Sequence, residues 1–194
     1  DVDPGRATNR TVITFAGEPD AVVEAAFQLI TKASELIDMR HHSGEHPRFG
    51  ATDVCPFVPV AHATMDDCID CARRLGERVG RELNIPVYLY ENAAASPERR
   101  NLATVRAGEY EGIADRISTP EWAPDFGPAT FNPAAGNIAI GARDFLIAYN
   151  VNLNTTSVAR ANSVAFDVRE KGRIKTEDGT PNGTKVLDDN GNPV

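Results

Sequence analysis

The sequence predicts an α+β fold in two layers, a mixed β-sheet with helices packed mainly on one face. Three observations carry that expectation. Short runs rich in β-branched and aromatic residues, such as Thr11–Phe15 and Ile85–Tyr90, alternate with helices whose apolar side chains lie on one side. No G-x-G-x-x-G or G-x-x-x-x-G-K-[ST] loop follows any strand, which removes the dinucleotide and P-loop versions of an α/β chain. The composition, 41% hydrophobic and 25% charged over 194 residues, is that of a globular protein with a core, sized for one domain or one domain and part of another.

The elements follow in order. Asp1–Arg6 reads as the end of a strand and a turn, because Pro4-Gly5 is strong turn punctuation. Thr11–Phe15 is the next strand. Gly17-Glu18-Pro19 opens a helix, with proline near its first position. Val22, Ala26, Leu29, Ile30, Ala33, Leu36 and Ile37 then recur at helical spacing over about five turns. Phe57–Val60 contains a proline and reads as an edge strand. Thr64 and Asp67 have the spacing of a capping box, ahead of a helix with Cys68, Cys71, Ala72, Leu75, Val79 and Leu83 on one face. Ile85–Tyr90 is a strand and Leu102–Ala107 a short helix. Phe126–Asn137 is a Gly/Pro loop with few charges, and Ile138–Gly141 a brief helix or strand. The apolar run Phe145–Leu153 predicts a strong buried strand. Thr156 or Ser157 caps a helix with Val158, Ala161, Ala165 and Val168, stopped by Gly172. Thr176–Val194 is polar and turn-rich.

A net charge of −8 argues against general binding to nucleic acid or to an anionic membrane, both of which need a basic face. No apolar run is long enough to span a membrane, and no signal peptide is visible. Cys55, Cys68 and Cys71 are an odd number for a disulfide framework, so a reducing, cytoplasmic setting is expected. The chain starts with Asp and stops abruptly, which reads as a piece of a longer protein.

Three of the four histidines fall in Asp38–Gly50, with acids and arginines among them. The plainest account is an exposed, well-hydrated loop between a helix and a strand. A metal site is a second account, since His42-Ser43-Gly44-Glu45-His46 has the letters H-x-x-E-H of one metallopeptidase class. That motif needs a helix, and Gly44 with Pro47 steers the backbone away from one. Zinc on Cys68, Cys71, Cys55 and His62 competes with core packing of the two cysteines on a helix face, which the spacing favours. No metal is expected. The third account is metal-free acid–base chemistry at His46, for which an imidazole is suited near neutral pH. Arg10, Arg40 and Arg48 are candidates to hold carboxylates by paired hydrogen bonds.

Several stretches resemble the glutamate formimidoyltransferase family. They are Asp1-Val2-Asp3, Thr8-Asn9-Arg10-Thr11-Val12, Asp38-Met39, Gly44-Glu45-His46-Pro47-Arg48, Asp53-Val54-Cys55-Pro56-Phe57, Pro86–Tyr90, Arg106–Glu111, Glu121–Pro128 and Gly141-Ala142-Arg143. The likeness runs on through Phe145–Leu153 to Gly172 and so covers nearly the whole chain. At Arg40-His41-His42-Ser43 the chain departs from the family pattern, with Ser43 in place of a lysine.

The resemblance implies transfer of the formimidoyl group of N-formimidoyl-L-glutamate to N5 of tetrahydrofolate, a step of histidine degradation. By the family motif the catalytic histidine is His46, with Asp3 lining the site. The folate segment is Gly127, Pro128, Ala129, Thr130, Phe131, Asn132, Pro133, Ala134, Ala135 and Gly136, where Phe126 and Phe131 could stack on a flat pteridine. Tetrahydrofolate is a co-substrate, and no cofactor beyond it is implied. The resemblance also implies a homodimer and two subdomains. Residues 1–143 are expected to be the N-terminal subdomain without its first strand and helix, and 144–194 the beginning of the C-terminal one. The competing class is a non-catalytic folate-binding remnant or assembly module.

Overall fold

The computed structural model describes residues 1–147 and 151–168. They fall into two units, Asp1–Leu146 and a second beginning at Ile147.

The first unit holds two separate sheets in place of one mixed sheet. Strands β1 (Val2–Gly5) and β2 (Arg10–Ile13) form an antiparallel hairpin, with Asp3 opposite Val12 and Gly5 opposite Arg10. The second sheet is parallel and contains β3 (Val54–Phe57), β4 (Val87–Glu91) and β5 (Ile138–Ala142), in the order β3-β5-β4. The expectation of an α+β chain with both kinds of pairing therefore holds. The strand near the second proline-containing run is Val54–Phe57, not Phe57–Val60. Its backbone is fixed by pairing to Ala139–Ala142, whereas Val60 is exposed.

The segment Ile138–Gly141, ambiguous in sequence, is the central strand. All five residues of β5 are buried, because both its edges carry neighbours and both its faces carry a core. Helix α1 (Pro19–Leu36) begins on its proline and buries Val23, Ala26, Phe27 and Ile30. This face is rotated from the expected one, and Leu36 is exposed. Helix α2 (Met65–Arg78) has its capping box. Asp67 N–H donates to Thr64 Oγ1 at 3.2 Å and Thr64 N–H to Asp67 Oδ2 at 2.7 Å. One π-helical turn, Val79–Leu83, continues it until Asn84 turns left-handed at φ 53°.

Helices α1 and α2 pack on the sheet face that carries Phe57, Val87, Leu89, Ile138 and Ile140. The opposite face is not bare, as helices mainly on one face would leave it. Tyr88, Tyr90 and Ala139 point into a second cluster with Phe49, Val105, Ile113 and Ile117. Two short helices, α3 (Leu102–Val105) and α4 (Ile113–Ile117), supply part of that cover. They are too short to show periodicity, which is why the sequence under-reads this layer.

The expected buried strand at Phe145–Leu153 is not found in its described residues. Phe145–Ile147 and Val151–Leu153 belong to no regular element, and the Ile147 side chain is 91% exposed. An apolar run becomes a buried strand only if it finds strand partners, and none of its described residues pairs with β3, β4 or β5. Residues 148–150 lie outside the described residues, as do Gly172 and the turn-rich stretch Thr176–Val194. In the second unit α5 (Val158–Val168) forms as expected, with the Ser157 carbonyl accepting from Ala161 N–H. Among the described residues no helix is long and apolar enough to cross a membrane.

Candidate functional site

The histidine loop is not helical. It leaves α1 at Ile37, turns at Asp38–His41 and runs irregularly to Gly50. The turn is held by Asp38, whose carboxylate accepts from the Arg40 backbone N–H at 3.0 Å and from the Arg40 guanidinium at 2.8 and 2.5 Å. Those hydrogen bonds hold the Asp38 carboxyl down at about 2.

Two neighbours enclose the loop. On one side lies the β1–β2 hairpin. Glu45 N–H donates to Ala7 O, Asn9 Nδ2 donates to Ser43 O at 2.8 Å, and His42 Nε2 donates to Asn9 O at 2.8 Å. Gly44 permits this approach. A Cβ there would sit 2.8 Å from the Thr8 carbonyl carbon and closer still to its oxygen. On the other side lies Gly127–Gly136. Met39 N–H donates to Ala134 O, Ala51 N–H to Ala135 O, and Asn137 N–H to Phe49 O, all within 2.9 Å, and Gly50 bridges Gly136. The loop that carries His46 is thus bonded at both its ends to the segment expected to take folate.

His46 is half-buried, and both ring nitrogens are engaged. Nδ1 is 2.6 Å from the Pro47 carbonyl oxygen. A carbonyl only accepts, so Nδ1 carries the proton. Nε2 is 2.6 Å from Arg10 Nη1. A guanidinium only donates, so Nε2 presents its lone pair. At Nδ1 the Pro47 oxygen at 2.6 Å is nearer than Arg106 Nη2 at 3.4 Å, so these contacts fit the Nδ1–H tautomer, with Nε2 turned toward the hairpin. Arg106 Nη2 donates to the same Pro47 oxygen at 2.6 Å and lies 3.4 Å from Nδ1. Behind it is Asp53, whose Oδ2 is 3.0 Å from Arg106 Nη2, with both side chains only 14% exposed. Burial pushes the Asp53 carboxyl up, against the pull of Arg106, His46 and Arg10 in that order.

Asp3 lies on β1 opposite Val12, so its side chain shares a face with Val12 and, two residues along β2, with Arg10. Arg40 and Arg48 already hold acids of the chain. Arg40 grips Asp38, and Arg48 pairs with Glu111 while donating to His42 O at 2.6 Å. Arg10 differs from them in that its partner is the imidazole. In the Gly/Pro segment Phe131 stacks at a tilt on Tyr110, centroids 5.4 Å apart, and Tyr110 Oη donates to Pro133 O at 2.6 Å. Phe126 is not free to stack on a ligand. Its ring packs into the core where Gly76 leaves room, and a Cβ at 76 would meet it at 3.0 Å.

The metal accounts lose their geometry. His42 and His46 turn to different partners on irregular backbone. Cys68 and Cys71 are buried on the core face of α2, and burial pushes the Cys55 thiol to about 12. Among the described residues no group of three or more His, Cys, Asp or Glu converges on one point. Arg106, Asp53 and Tyr110 escaped sequence reasoning. Arg106 and Tyr110 reach His46 and its neighbours from about sixty residues along the chain, and Asp53, seven residues from His46, gains its place only by pairing with Arg106.

Comparison with known proteins gives one answer. The model of the formiminotransferase domain, N-terminal subdomain, matches residues 1–143, and that of the formiminotransferase domain matches 148–188. The chain is 52% identical to formimidoyltransferase-cyclodeaminase of Rattus norvegicus over 92% of its own length and 33% of the relative's. It is 49% identical to glutamate formimidoyltransferase of Streptococcus pyogenes serotype M1 over 84% of its length and 55% of the relative's. For the Thermoplasma acidophilum protein of the same name the figures are 50%, 88% and 56%.

Proposed function

The chain belongs to the formiminotransferase family, and from that premise we propose that it carries the transfer of the formimidoyl group from N-formimidoyl-L-glutamate to N5 of tetrahydrofolate, within histidine degradation. The observation that supports this most is the His46 ring, with Nδ1 on the Pro47 carbonyl and Nε2 turned to Arg10, in a loop bonded to Gly127–Gly136.

The chemistry needs one such group. The N5 amine adds to the formimidoyl carbon and becomes cationic, and Nε2 takes its proton. The same proton then goes to the glutamate nitrogen as the carbon–nitrogen bond to it breaks, so the imidazole ends as it began. Gly127–Gly136 binds the folate in this reading, with the Phe131–Tyr110 pair as its aromatic surface. Asp3 stands on the hairpin face beside Arg10. Arg10 covers Nε2 in the free chain and moves to a substrate carboxylate, which uncovers the base. Arg40 and Arg48 shape the loop more than they bind ligand, because their acids are internal.

A tetrahydrofolate-dependent transfer assay on the full gene product tests the reading. Binding of tetrahydrofolate without transfer selects the non-catalytic module instead. Arg10→Gln is expected to raise KM for N-formimidoyl-L-glutamate roughly 10- to 100-fold, the loss of one charge-assisted hydrogen bond, while kcat changes little. An unchanged KM removes Arg10 from carboxylate binding.

The same reading divides the chain into an N-terminal subdomain, 1–143, and a C-terminal part from 144. The end of the matched model at 143 and of the compact unit at Leu146 support that boundary. A cytoplasmic homodimer acting on small molecules completes it, with the acidic net charge against nucleic acid. The chain spans about a third to just over half of the length of the relatives it matches.

A further inference from the structure

We infer that Asp53 and Arg106 are positioning residues that hold His46 in its Nδ1–H form and balance the charge it takes on, an assignment that rests on the transfer reading above. The Pro47 carbonyl is aimed by Arg106 Nη2 at 2.6 Å, and in that orientation it accepts from His46 Nδ1. Arg106 is in turn held by Asp53, the residue before β3. The Asp53 carbonyl accepts from Ala139 N–H at 3.1 Å, which ties the residue to the central strand. The chain of contacts runs from the sheet through two buried side chains and one carbonyl to the imidazole.

The charges give Asp53 a second task. Two guanidiniums flank a ring that must accept a proton, Arg10 at Nε2 and Arg106 near Nδ1. Arg10 leaves with the substrate carboxylate, but Arg106 stays. An imidazolium beside an unbalanced guanidinium in a half-buried loop is unfavourable. The Asp53 carboxylate cancels that charge. Its Oδ2 lies 3.0 Å from Arg106 Nη2, and both side chains are only 14% exposed. The carboxylate does not touch the imidazole and acts on it through Arg106 and through its field.

The test joins kinetics to a spectrum of the full chain. In Asp53→Asn, kcat is expected to fall roughly 10- to 100-fold with KM for both substrates within twofold, because in this assignment both residues act through His46. Imidazole ¹⁵N shifts of the ligand-free protein are expected to show His46 as the Nδ1–H tautomer alone, and Arg106→Gln to give a mixture of tautomers. A native chain with His46 as Nε2–H overturns the assignment. So does a loss that appears in KM rather than kcat, or a kcat within threefold of the native value in both variants. The spectrum needs no turnover. A chain that fails to transfer but shows the Nδ1–H form sinks the transferase reading and leaves the positioning intact.

Discussion

His46→Ala is expected to lower kcat by at least ~100-fold, the usual contribution of a positioned acid–base group. Binding of tetrahydrofolate should persist, since the imidazole contacts Pro47 and Arg10 rather than the Gly127–Gly136 backbone. Folding should persist too, because the ring is half-buried and outside both core clusters. His46→Gln is the more severe test. It keeps a polar group in place but has no nitrogen that can take and return a proton near pH 7. A loss below tenfold in either variant would remove His46 from the proton transfer.

Gly50→Ala is expected to cost about 3 kcal/mol, at the upper end of what a buried overlap costs. A methyl group there would lie 2.7 Å from the Ala135 carbonyl oxygen and nearer still to that of Asn137, which is backbone on a buried segment. Gly136 cannot give way, since it is left-handed at φ 68° and faces the Phe49 carbonyl. The two loops must separate. A fall in Tm of several degrees is expected, with folate affinity falling further than stability alone requires. Normal folate affinity in a destabilised Gly50→Ala protein would mean that the two loops bind independently.

Much of this fold was legible in the residues, and the reasons differ by element. The Thr64 capping box and the proline at the start of α1 are local signals, and local signals survive into structure. The α1 face was read a residue out, because Val23 and Phe27 compete with Leu29 and Leu36 for the same apolar stripe and only the partner α2 decides. The strand Ile138–Ala142 carries no turn signal and little length, so its central place emerges only from its two neighbours. Phe145–Leu153 shows the converse error: hydrophobicity states a demand for burial, not its fulfilment. At the candidate site His46 and Gly127–Gly136 came from an extended likeness. Arg106 and Asp53 fell inside quoted motifs but had no stated role. Arg106 lies sixty residues from His46, a separation only the folded chain closes, and Asp53 matters through its pairing with Arg106.

The β1–β2 hairpin joins the remainder through a handful of polar contacts, while β5 lies at the centre of two hydrophobic clusters. Backbone deuteration should therefore be fast across Val2–Ile13 and slowest across Ile138–Ala142, with the hairpin opening as one cooperative unit. Each opening carries Arg10 away from the imidazole and leaves the sheet untouched. The contact between Arg10 and His46 can accordingly be broken and remade many times within one lifetime of the native core.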